Sequence, residues 1–174
     1  FARSEIWLGR IEGIAGEASI TDKRKLVERK DFMYLAFLET QDFRPPEEEE
    51  LLFTAYAYKG GEAMGVNIES GELINYSRDW AYDEAESVFP DGNSIAIERE
   101  MDTYTAVPVG DIDIWRLALD GSGKSTRLTR FSEYAGYGAN NPAISPDGRK
   151  MAFGLRVKGG EHGNADGMLL YDFD

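Results

Sequence analysis

The residues with chemistry to offer in this sequence are carboxylates and aromatics set in polar stretches between apolar runs. Arg44, Trp80, Tyr82, Asp83, Glu86, Tyr104, Tyr137 and Asn141 fall in such stretches. Tryptophan and tyrosine rings beside carboxylates suit a protein, peptide or glycan, because the ring faces stack and the acids accept hydrogen bonds. These eight are the candidate ligand-binding residues. Aromatics of this kind also pack their own loops, so residue type alone does not separate the two uses. Covalent catalysis lacks its parts. The chain has no cysteine, and it has no Gly-x-Ser-x-Gly elbow. Its single histidine, His162, would need partners that the sequence does not identify before it could serve as base or metal ligand. No catalytic residue is assigned. Gly123-Lys124-Ser125 resembles the end of a phosphate loop, but the required glycine spacing and the following helix are missing.

Metal chemistry is nearly as bare. Asp111 and Asp113 flank Ile112 and share a strand face, so they offer two oxygens where calcium takes six to eight. No cofactor is expected, Ca²⁺ being the one ion that the acidic surplus would permit. The net charge is −13, from 32 acidic and 19 basic residues. That excludes nucleic acid, whose phosphates need a basic surface, and it allows a basic partner. No apolar run approaches the roughly 18 residues of a membrane-spanning helix. Hydrophobic residues make up 42% of the 174 positions, enough for a packed core.

The elements that must position these residues form a repeat. Three segments align without a gap, led by Pro46, Pro90 and Pro146. Each is a tight turn feeding an alternating apolar run. Leu51 and Phe53, Ile95 and Ile97, and Met151 and Phe153 occupy matching places at the strand period of two. Pro90-Asp91-Gly92 and Pro146-Asp147-Gly148 are strong turn sequences: proline presets φ, aspartate bonds its own backbone and glycine accepts positive φ. Residues 47–50, all glutamate, are a degenerate copy. A second element recurs between them. Glu5-Ile6-Trp7 leads to Ile11-Glu12-Gly13 as Asp113-Ile114-Trp115 leads to Leu119-Asp120-Gly121, with Glu62-Ala63-Met64 as a weaker relative. A further short strand follows each, at 25–28, 126–129 and 72–76. The unit is a four-stranded antiparallel meander. The prolines are 44 and then 56 residues apart, against roughly 40–50 for a propeller blade with an enlarged loop in the second. The fold class is all-β, a β-propeller.

Asn141 to Phe153, and Asp113 to Gly121 followed by Arg127-Leu128-Thr129, resemble the repeat of the TolB-like (WD40-like) β-propellers, strongly from about residue 84 onward. The resemblance implies a six-bladed propeller and a periplasmic or secreted setting. It does not fix an activity, since such propellers serve as binding modules, polysaccharide lyases and gating domains of peptidases. The family's oligogalacturonate lyases use a histidine-rich metal site that one histidine cannot reproduce.

Counting strands gives about three and a quarter blades, in segments 1–30, 31–76, 77–129 and 130–174. The ring is incomplete, since even four blades would need sixteen strands. The start at Phe1 rather than Met implies that the natural start is removed, and the last blade lacks its fourth strand. The chain is therefore expected to be the C-terminal part of one propeller domain. The upstream half, from the same protein or a second chain, is its expected partner in closing the ring.

Two loop classes follow. One face has tight turns; the other has long connections at 30–43, 78–86, 99–110, 130–141 and 156–167. Residues just before the proline turns, Arg44, Glu86 and Asn141, are expected to open onto the axial channel. The expected function is an extracytoplasmic binding module that uses the long-loop face. The alternatives are a carbohydrate-active enzyme, lyase or hydrolase, with catalytic residues partly in the upstream half, or a structural propeller domain of a larger protein.

Overall fold

The structure is a computed structural model and describes residues 4–14, 16–57, 60–79, 81–100, 111–157 and 167–173. Thirteen strands lie among the described residues, with single 3-10 turns at Arg29–Asp31 and Phe131–Glu133. β1 (Ile6–Glu12) and β2 (Ser19–Val27) pair with each other. β3 (Leu35–Phe43), β4 (Glu50–Ala57), β5 (Gly60–Asn67) and β6 (Leu73–Asn75) form one meander. β7 (Tyr82–Val88), β8 (Ser94–Glu100), β9 (Asp113–Ala118) and β10 (Ser125–Arg127) form the next, and β11 (Tyr137–Ile144), β12 (Lys150–Val157) and β13 (Gly167–Asp172) the last. A single parallel bridge between Gly61 and Tyr82 joins the two complete meanders. A Cβ at Gly61 would stand 3.3 Å from the Asp83 carbonyl oxygen, so the crossing chain comes close.

Packing between blades follows from alternation along the second strands. On β4, Leu51 and Phe53 point into a core shared with Ile6 and Val27 of the preceding sheet. Leu52, between them, enters the next core with Tyr76, Ile95, Ile97 and Leu117. On β8, Ile95 and Ile97 face back, while Ala96 faces forward into a third core with Ile114, Met151 and Phe153. A strand whose two faces are both covered reads as a continuous apolar run, which is why β4 and β8 stood out in the sequence.

The three proline-led turns occupy equivalent places. Leu51, Ile95 and Met151 are all buried and pair with Phe43, Val88 and Ile144 of the first strands. Every first strand also carries a register shift: between Thr40 and Asp42, between Ala85 and Ser87, and between Asn140 and Ala143. A bulge re-aims the side chain it releases from the ladder, and here Gln41, Glu86 and Asn141 lie within those shifts.

The first strands begin earlier than the sequence suggested. Residues 35–43, 82–86 and 137–141, expected as parts of long loops, are strand. Tyr82, Asp83, Glu86, Tyr137 and Asn141 thus sit on rigid strands β7 and β11 rather than on loops.

Trp7 and Trp115, the aromatics of the recurring acid-Ile-Trp element, lie in β1 and β9. Each is in its strand, below a cation from the neighbouring one: Lys25 lies 5.1 Å from the Trp7 ring, and Arg127 lies 6.0 Å from that of Trp115. Their burial differs. Trp115 packs on the core containing Ile97 and Leu117, whereas Trp7 is 55% exposed. The reason is pairing: β9 lies between β8 and β10, but among the described residues β1 pairs only with β2. Trp115→Ala is therefore expected to cost about 3 kcal/mol in urea unfolding, the lower end for a buried tryptophan. Trp7→Ala is expected to cost about 1 kcal/mol or less, and equal costs would contradict this packing.

Candidate functional site

The inner strands β3, β7 and β11 run against one another, and the carboxylates collect there. Glu39 on β3 pairs with Thr54, Glu84 on β7 with Glu98, and Asn140 on β11 with Gly154. These first-strand residues hold the same register place in successive blades. Glu84 is fixed by two phenols, since Tyr56 Oη and Tyr82 Oη both donate to its carboxylate. Tyr56 Oη also lies 3.0 Å from Glu39. The bulge at Glu86 brings a third acid in, and Glu84, Glu86 and Glu98 each offer an oxygen within 4.8 Å of the others. The Asn141 backbone N–H donates to Glu98 at 2.6 Å, from a residue at positive φ (49°).

This crowding alters proton affinity. Burial, then repulsion from Glu98 and Glu84, raises the Glu86 carboxyl above the ordinary glutamate range. Burial, then repulsion from Glu84, raises Glu98 despite the Asn141 N–H and nearby Arg156. The sign for stability follows. A carboxyl raised in the folded state favours folding fully below its ordinary value of 4.5, and that contribution is lost as pH rises through the raised values. Stability is expected to fall from mildly acidic to alkaline pH, by up to about 1.4 kcal/mol per pH unit for each proton involved. Glu98→Gln should flatten that fall in urea titrations at pH 5 and pH 9. An unchanged slope would show that Glu98 is not the group responsible.

The three carboxylates could hold a hard cation or share a proton. The acids singled out for calcium are placed differently. Asp113 accepts hydrogen bonds from Arg127, Thr129 and the backbone N–H groups of Phe131 and Ser132. Its lone pairs are committed to closing the strand β9–β10 end of the blade.

The other sequence-derived residues divide by role. Tyr82 is buried at the start of β7. Asp83 meets Arg99 in a two-point contact, Oδ1 to Nε at 2.5 Å and Oδ2 to Nη2 at 2.7 Å. Burial pushes the Asp83 carboxyl up, to about 7, against the guanidinium's pull. Burial likewise works against charge on Arg99, yet its contacts with Asp83 leave it raised. The two tendencies conflict, and the fork geometry decides for a charged pair. Asp83 is thus engaged within the protein. Arg44, expected beside the channel, stands at the tight-turn end. It donates to the Gly92 carbonyl at 2.7 Å and to Glu50 and Tyr76 Oη at 3.0 and 3.1 Å, tying one blade to the turn of the next. Tyr137 is 42% exposed at the start of β11. Trp80, Tyr104 and His162 lie outside the described residues.

Glu98, Glu39, Tyr56 and Arg156 were not singled out in the sequence. Glu98 carried one signal: an acid that directly follows the apolar run Ile95-Ala96-Ile97 of a second strand.

A hollow of about 420 Å³ adjoins this cluster across Tyr56, walled by Phe32, Met33, Tyr34 and Met64, with Glu62 among its lining. It opens where β4 ends and β5 begins, on the side of the long connections.

No family model matches the sequence, and no curated protein matches it. Solved structures do. The chain is similar to TolB from Acinetobacter baumannii (TM-score 0.61, 19% identity), with 94% of this chain and 37% of that one covered. It is similar to a TolB structure from Agrobacterium tumefaciens (TM-score 0.65, 17% identity), covering 96% and 57%. A prolyl endopeptidase matches at TM-score 0.55 and 13% identity, covering 97% and 29%. The fold is that of a TolB-like β-propeller, and the chain spans less than two thirds of each of these structures.

Proposed function

We propose that this chain is part of a propeller binding module that docks a basic protein or peptide segment at the channel-facing carboxylates, on the face of the long connections. The observation that carries this reading is the convergence of Glu84, Glu86 and Glu98 on strands that touch at the centre of the blades. A chain of net charge −13 adds long-range attraction for a cationic partner. The tight-turn face offers short connections instead, such as the Pro90 and Pro146 turns.

The reading includes a closed ring. Ile11 (74% exposed) on β1 and Met168 (82% exposed) on β13 stand open at the two outer sheets, and further blades supplied upstream would cover them. The periplasmic or secreted setting belongs to the same proposal. Among the described residues no helix is long and apolar enough to cross a membrane.

A second reading, a carbohydrate-active enzyme, is favoured by the same buried, raised carboxyls. Burial and internal pairing weaken it: Glu98 is 4% exposed and accepts the Asn141 backbone N–H, while Glu84 accepts from two tyrosines.

A panel of lysine-rich peptides and acidic and neutral glycans distinguishes the two. Peptide binding should strengthen as pH rises through the raised carboxyl values and weaken with salt. Above those values, where the carboxyl is ionised, Glu86→Gln should reduce it about 3- to 10-fold, the loss of one partly screened charge contact. Glycan turnover abolished by Glu86→Gln, with no peptide binding, would favour the enzyme.

A further inference from the structure

The hollow beside Tyr56 contains a carboxyl group that the rest of the molecule prepares and then leaves without a direct ion pair among the described residues. Glu62 on β5 accepts a hydrogen bond from Ser77 Oγ at 2.6 Å. The Asn75 side chain and the Asp79 backbone also bond it. All of these donors are neutral. The nearby cations are turned elsewhere. Arg99 is held by Asp83 and by Asp79, the latter at 3.1 Å. Arg78 directs its Nε to the Asn75 carbonyl oxygen at 3.1 Å. Among the described residues Glu62 has no ion-pair partner. A half-buried carboxylate so placed remains short of a counter-charge, because neutral donors orient it but do not cancel its field.

The walls are the second observation. Phe32, Tyr34 and Tyr56 supply aromatic rings, and Met33 and Met64 supply flexible apolar surface. Met33 (85% exposed) and Tyr34 (61% exposed) contribute largely open surface to the hollow. The charged groups on these walls are Glu62, Asp79 and Arg78, two acids to one base whose Nε is turned to the Asn75 carbonyl oxygen. An anion is therefore disfavoured, and a purely apolar group would bury Glu62 unpaired. A long aliphatic stem ending in a cation satisfies both parts: the methylenes lie along the methionines and rings, and the head reaches the carboxylate. The volume of about 420 Å³ accommodates one such side chain with its approach.

We propose that this hollow receives a single lysine or arginine side chain from the docked protein partner, as an anchor separate from the channel-facing carboxylates. It rests on the reading of the chain as a module for a basic partner and names one residue-level contact within it. The surplus of acids over bases in the whole chain supplies the matching long-range attraction. Because Tyr56 lines the hollow and also bonds Glu39 and Glu84, a chain lying across it reaches both places.

The test uses a fluorescent decapeptide of alternating lysine and serine, the same peptide with every lysine acetylated, and anisotropy titration. The parent should bind the lysine peptide at least tenfold more tightly than the acetylated one. Glu62→Gln keeps an acceptor for Ser77 and should lose about fivefold or more. Met33→Lys changes an exposed residue at the mouth, leaves the fold intact, and should lose a similar factor by placing a cation where the ligand's would sit. If Glu86→Gln weakens binding while Glu62→Gln and Met33→Lys bind as the parent does, the hollow is not an anchor, though the channel reading stands. If the parent does not prefer the lysine peptide, both fail.

Discussion

Replacing Asp83 by alanine is expected to destabilise the protein by about 3–5 kcal/mol, the largest effect of any polar substitution among the described residues. Asp83 and Arg99 have side-chain exposures of 0% and 5%, and the carboxylate takes two of the guanidinium's hydrogen bonds. Removing one member of such a pair leaves the other charge buried and unmatched. Asp79, 3.1 Å from Arg99 Nη2, is 41% exposed and offsets only part of that loss. The Arg99 guanidinium also lies 5.3 Å from the Trp115 ring, so its displacement disturbs the blade core. Urea unfolding of the variant measures the effect. A cost below about 1 kcal/mol would mean that the pair is not formed, and would return Asp83 to the group of free, ligand-facing acids.

Phe53→Ala should be comparably severe, about 3–5 kcal/mol, for a different reason. Phe53 is fully buried on β4, within the core that joins Ile6 and Val27 to Val66. Its ring meets Phe32 edge-on at 6.4 Å between centroids. Truncation leaves a cavity between two sheets rather than within one, and cross-strand hydrogen bonds cannot close it. A loss confined to about 1 kcal/mol would show that the β1–β2 pair does not pack on its neighbour.

Much of the fold was legible because second strands are covered on both faces. Runs such as Ile95-Ala96-Ile97 and Leu51-Leu52-Phe53 admit little but a buried strand, and the Pro-Asp-Gly turns set their phase. The first strands were harder. Tyr82 to Val88 reads Tyr-Asp-Glu-Ala-Glu-Ser-Val, and such polarity suits a strand beside a channel as well as it suits a loop. Those residues were accordingly expected in long connections, and the structure makes them strands. The same ambiguity hid the site. Glu86 was picked out by its place before a proline turn, but its partner Glu98 lies in a different strand. The bulge that brings Glu86 toward Glu98 leaves no mark in composition. Asp83 shows the converse: an acid between a tyrosine and a glutamate looks available, and only the position of Arg99 shows that it is spoken for. Arg44 precedes its turn as expected, yet it reaches Gly92 of the following blade, a contact set by the rotation between blades.

The claim that matters most is that the partner meets the channel-facing acids rather than the tight turns. An amide chemical-shift titration of the protein with a lysine-rich decapeptide tests it directly. The account predicts that the shifted signals cluster at residues 81–86, 98–100 and 138–141, and that they fade as salt is added. Shifts concentrated instead at the turns 91–93, 121–124 and 147–149, with the channel residues unmoved, would contradict it.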